Sequence, residues 1–122
     1  MFAADRVVIL PAGIGTAAPR GGSTGRISRA RCYGAAVTLD TTGVVLVRAG
    51  PAARLAELFR AWGQPLSRVR LASFPGHVRV FVDGRRRRGS PGAVVLAPHA
   101  EIVLEVGPYV PPHTTFTFPP GL

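Results

Sequence analysis

A hairpin, then one amphipathic helix, then further strands is the order of an α+β chain of the β-grasp (ubiquitin-like) class, a mixed sheet packed by one face on one helix. Three observations predict it. Runs at residues 33–40 and 43–48 flank Asp40-Thr41-Thr42-Gly43, with Asp and Gly at the two ends as a type I turn prefers. Leu55, Leu58, Phe59 and Trp62 recur at the spacing of one apolar helix stripe. Strand-like runs follow at 69–71, 78–82, 93–96 and 101–106.

The elements follow in order. Residues 6–10 (RVVIL) read as a strand closed by the tight turn Pro11-Ala12-Gly13-Ile14-Gly15. Residues 16–25 (TAAPRGGSTG) lack apolar periodicity and read as a loop. After the hairpin, Pro51 stands at an N1-like position and Gly63 and Pro65 form a stop, giving a helix of about three turns. Val78-Arg79-Val80-Phe81-Val82 ends at Asp83-Gly84, whose tolerance of positive φ marks a hairpin or turn. Arg85 to Arg88 then read as a four-arginine turn before the last strand. The tail, 108–122, is too proline-rich for a central strand, although Phe116 and Phe118 alternate as an edge strand would. The division is one domain over 1–122: an N-terminal strand and loop extension (1–31), a β-grasp-like core (32–107) and a Pro-rich tail (108–122).

Composition bounds the chain further. At 122 residues it buries enough surface to need no metal or disulfide staple, and 47% hydrophobic with 17% charged residues excludes a disordered chain. Fifteen Gly and 12 Pro imply many turns and short strands. No apolar run reaches the roughly 18 residues of a membrane span, and residues 1–10 lack the basic-then-apolar layout of a signal peptide. The net charge of +9 comes from arginine alone, with no lysine, an electrostatic footprint for a polyanion or the outcome of a coding bias toward Arg. Cys32 is the only cysteine, so no internal disulfide or Cys-x-x-Cys site exists; it reads as a small buried apolar group.

Motifs with catalytic meaning fail on context. Gly13-x-Gly15-x-x-Ala18 after an apolar run formally fits a dinucleotide fingerprint, but Pro19, Gly21 and Gly22 forbid the helix it requires. The Gly21–Gly25 stretch cannot complete a Walker-type site without lysine. His77, His99 and His113 are scattered, with no acid at i+3 or i+4 to preorganise a metal. His99 with Glu101 is the one conceivable acid–base pair, in a loop entering a strand. Arg85, Arg86, Arg87 and Arg88 form the densest charge feature and the candidate contact for an anion or a partner. The aromatics that single-strand binders interleave with cations are missing around them.

Several of these pieces together, Pro11 to Gly15, Cys32 with Asp40-x-x-Gly43-Val44, Leu58-Phe59-x-x-Trp62-Gly63, Val80 to Gly84, Pro98-His99-x-Glu101-Ile102 and the segment 109–122, resemble a group of small uncharacterised bacterial proteins, commonly exported or membrane-anchored. That resemblance implies an extracytoplasmic or membrane-associated setting and carries no established activity. The group typically has histidines on the hairpin where this chain has Val37, Leu39 and Leu46. If those histidines hold a metal, this chain has lost the site.

The expectation is therefore a non-catalytic module with no cofactor that binds another protein or assembles with itself. The alternative is a basic nucleic-acid or anionic-surface binder acting through Arg85 to Arg88, and a weaker one is a degenerate metal-binding protein.

Overall fold

The computed structural model describes residues 1–4, 6–108, 111 and 118–120. Strands come first: β1 (Phe2–Ala3), β2 (Arg6–Val7), β3 (Thr16–Ser23), β4 (Arg26–Tyr33), β5 (Ala36–Val37) and β6 (Leu46–Val47). The one α-helix among the described residues, α1 (Leu55–Trp62), is followed by β7 (Leu66–Ser67), β8 (Arg70–Leu71), β9 (Phe74–Pro75), β10 (Val78–Val82), β11 (Arg85–Arg87), a 3-10 turn (Pro91–Ala93) and β12 (Ile102–Val106).

These strands form four separate sheets, so the single β-grasp sheet packed on a helix does not hold. The largest has five strands in the order β11, β10, β12, β1, β2; β3 with β4, β5 with β6, and β7 to β9 make three smaller ones. The assignment of parts is corrected too. β1 and β2, expected in an extension, belong to the five-stranded sheet, where β1 runs parallel to β12 with Phe2 opposite Glu105. The hairpin expected to found that sheet is instead a separate pair, Ala36 opposite Val47 and Val37 opposite Leu46. The physical reason is the density of breakers: Gly43 (φ 86°) lies in the connection between the two strands and Gly50 (φ 119°) just beyond the second, leaving too little extended backbone to add to a larger sheet.

The largest correction lies at residues 16–33. The stretch read as a loop is the first half of a long antiparallel ribbon, β3 paired with β4 around the two-residue connection Thr24-Gly25. Apolar alternation could not reveal it, because most of the ribbon is exposed and needs no hydrophobic face.

The register of β10 against β12, from Val78 opposite Val106 to Val82 opposite Ile102, turns Val78, Val80, Leu104 and Val106 to one side. They join Ala3, Leu71, Leu96 and Ile14 in the core with Leu55, Leu58 and Phe59 of α1, all at most 7% exposed. The helix stripe is thus read correctly, and Trp62 packs its ring 5.3 Å from that of Phe59 at 60°. Its start is not at Pro51. Residues 53–55 are committed to the 94–96 segment, with the Leu96 N–H donating to Ala53 O (2.8 Å) and the Leu55 N–H to Val94 O (2.9 Å). Arg54 is accordingly extended (φ −117°, ψ 162°), and the helix begins only after it. The same bonding reduces the expected 93–96 strand to a single bridge, Arg54 with Val95. At the other end Gly63 takes the left-handed conformation expected of a helix stop.

Thr38, fully buried, ties the first turn to the hairpin. Its hydroxyl donates to Pro11 O (2.6 Å) and accepts from the Ile14 N–H (3.1 Å). Gly15 (φ 75°) lies so close below that a Cβ would stand 2.2 Å from Ala36 O. Asp40 closes the hairpin, accepting from the Thr42 hydroxyl and N–H, and those bonds hold its carboxyl below the usual carboxylate range. The expected edge strand through Phe116, together with His113 and Tyr109, lies outside the described residues.

Thr38→Val keeps the volume but leaves the buried Ile14 N–H and Pro11 carbonyl without their partner, and is expected to cost about 2 kcal/mol, read as a lowered denaturant midpoint at unchanged m.

Candidate functional site

Asp83 (φ 52°) and Gly84 (φ 79°) both lie in the left-handed region, the conformation of a tight two-residue hairpin loop. The turn is therefore these two residues, and Arg85 to Arg87 form the edge strand β11 and not the turn the sequence suggests. The Asp83 carboxylate accepts from the Glu101 N–H (2.9 Å), and the Asp83 N–H donates to Glu101 O (2.8 Å), pinning the loop to the start of the last strand.

Pairing decides where the guanidinium groups go. Arg85 stands opposite Val82, Arg86 opposite Phe81 and Arg87 opposite Val80. Residues directly opposite share a face, so Arg85 and Arg87 project on one side of the sheet and Arg86 on the other. All three are exposed, as is Arg88 just beyond the strand. Arg85, Arg86 and Arg87 line a shallow depression with Val82 and Asp83. Arg86 reaches along its face to within 3.3 Å of His77 Nε2.

On the face of the sheet that carries Arg86, Arg79 bonds Glu105 Oε1 (3.3 Å) and Gly107 O (2.7 Å). Glu105 is fully buried, and this is the one salt bridge among the described residues. The pair is structural: it neutralises a carboxylate that lies under the sheet between β1 and β10.

The remaining candidates separate. His99 (φ 56°) is an exposed turn residue whose ring packs 4.9 Å from that of Phe118, and Glu101 bonds Asp83 through its backbone N–H and carbonyl. Gly13 and Gly15 lead into a strand, not a helix, so the dinucleotide geometry is not formed. Val37 is buried and faces Leu46 across the small hairpin, with Leu39 half-buried beyond. No group of three or more His, Cys, Asp or Glu able to hold a metal occurs among the described residues. Cys32 is exposed on β4 opposite Ala17, which corrects its reading as a buried group. No helix among the described residues is long and apolar enough to cross a membrane.

Sequence reasoning missed the arginines of the ribbon, Arg20, Arg26, Arg29 and Arg31, all exposed. The available signal was charge alone: residues 6–39 contain no Asp or Glu.

Arg79→Met removes the guanidinium that bonds the buried Glu105 carboxylate and is expected to destabilise the fold by about 3 kcal/mol, measured by urea unfolding. No protein-family model, no curated protein and no solved structure matches the chain.

Proposed function

We propose that this chain is a non-catalytic binding module for a polyanion. One observation carries the reading: of the 15 arginines, only Arg79 is in a salt bridge among the described residues. A protein that used arginine only to decorate its surface would gain by interleaving carboxylates, and here six carboxylates serve the whole chain. The exposed guanidinium groups of Arg85, Arg86, Arg87 and Arg88 are free to displace counterions from a phosphate-rich ligand. The depression beside them is shallow and its walls are Arg85, Arg86 and Arg87 with Val82 and Asp83, which suits a polymer laid across the surface better than an enclosed small molecule.

In a fluorescence anisotropy titration, Arg86→Ala with Arg87→Ala is expected to weaken nucleic-acid binding severalfold and to reduce the slope of log affinity against log salt by about 2. Binding that is absent, or indifferent to salt, overturns the reading.

A second reading, self-assembly, has its own observation. Strand β2 is the far edge of the five-stranded sheet, and beside it Val7 and Ile9 are 67% and 61% exposed. An open edge with apolar side chains pairs readily with a second copy. Val7→Lys is then expected to convert a dimer to a monomer in sedimentation equilibrium; a wild-type protein that is monomeric at all concentrations removes this reading.

A further inference from the structure

We propose that the β3–β4 ribbon is the recognition element and that it enters the major groove of B-form DNA. The inference rests on the polyanion reading and narrows it to a duplex and to one element of the fold.

Register gives the ribbon two unlike faces. Ser23 pairs with Arg26 and Gly21 with Arg29; residues 21 and 23 share a face by alternation, so Arg26 and Arg29 share it too, with the bulge at Ser28 absorbing the odd residue between them. Gly21 has a specific use there. A Cβ on it would stand 2.9 Å from Arg29 Cγ and 2.6 Å from its Nε, so the absent side chain lets the Arg29 stem lie across the neighbouring strand. The other face carries Arg20 and Ile27 and turns to the body, where a Cβ on Gly13 would lie 3.7 Å from Arg20 Nε and 3.8 Å from Ile27 Cγ1. Arg20 is used internally, its Nε donating to Thr16 Oγ1 (2.7 Å) and its Nη2 to Thr16 O (2.6 Å). Arg26, Arg29 and Arg31 donate no side-chain hydrogen bond among the described residues; the charge that reaches them is that of Asp40, beside Arg26 at the ribbon tip.

The ribbon is also held still. The Ile27 N–H donates to Leu39 O (2.6 Å) near the tip and the Gly34 N–H to Gly15 O (2.8 Å) at the base. A preorganised cationic element loses less entropy on binding than a mobile one.

Dimensions choose the ligand. Two strands stand about 4.8 Å apart and eight residues extend about 26 Å, which fits a major groove about 12 Å wide and about 8.5 Å deep. The five-stranded sheet bearing Arg85 to Arg87 is too broad to enter and serves for phosphates. A-form RNA closes its major groove to such an element. Single strands are recognised by stacking on a series of aromatics, and the ribbon carries one, Tyr33 at its base. Arginines on the solvent face can instead bond guanine edges.

The test compares a DNA duplex of about two helical turns, the RNA duplex of the same sequence and the single DNA strand, by anisotropy, for the wild type, Arg26→Gln with Arg29→Gln, and Arg86→Ala with Arg87→Ala. Expected is a wild-type preference for duplex DNA over both others, lost with roughly a tenfold or greater drop in duplex affinity in the ribbon variant. The edge variant is expected to weaken all three ligands alike and keep the preference. Arg26→Lys with Arg29→Lys, which keeps charge and stem length, is expected to restore most of the affinity, and this separates the effect from misfolding. Equal wild-type binding to DNA and RNA duplexes, or an unchanged affinity in the ribbon variant, overturns the ribbon inference while a salt-sensitive loss in the edge variant leaves the polyanion reading standing. Absence of binding to all three ligands overturns both.

Discussion

The pairing of β10 with β12 is the constraint on which the rest depends. It puts Val78, Val80, Leu104 and Val106 into the apolar core that also takes Leu55, Leu58 and Phe59, and leaves Arg79 and Glu105 on the reverse. A slip of one residue would exchange these sets and drive an arginine and a glutamate into the apolar core. Once the register is set, β1 has a strand to run parallel to, and β11 is carried outward by the tight Asp83-Gly84 loop. The orientation of every edge arginine follows from the position of its partner on β10, not from any feature of the arginine run.

That explains how much was legible in the residues. Val78 to Val82 and 102–106 read correctly as strands because they alternate or run apolar against a core, and Leu55, Leu58, Phe59 and Trp62 read as a helix stripe because a buried face imposes its period. Pairing partners are another matter. Nothing in Phe2-Ala3 or in residues 33–48 says which of them will join β12; that choice depends on strand length and on the glycines around the hairpin. The start of α1 was hidden for a related reason, since Pro51 is compatible with a helix N-terminus, but the backbone of residues 53–55 is claimed by 94–96. The ribbon was illegible by the same method, because an exposed two-stranded element has no hydrophobic periodicity to display.

The candidate site was visible as charge and invisible as geometry. Arg85 to Arg88 stood out as a run, yet alternation splits them between two faces. The ribbon arginines are spread through the sequence and did not stand out, yet Arg26 and Arg29 share one face because a bulge brings them into phase. Neutralisation is also unequal: the half-buried Arg79 has a carboxylate, and the surface is left almost uncompensated. Such a surface repels itself, and the compact state bears that cost.

The parallel pairing of Phe2 with Glu105 brings together two positions separated by nearly the whole described chain. Closing so long a loop is entropically slow, and contacts of this span lower folding rates. On the ribosome β1 has only β2 beside it until β12 has been made, so the five-stranded sheet is completed only after synthesis of the core segment. The ribbon, whose strands are joined by two residues, has no such delay. The loop-closure cost of joining its strands is therefore far smaller than that of bringing β1 to β12.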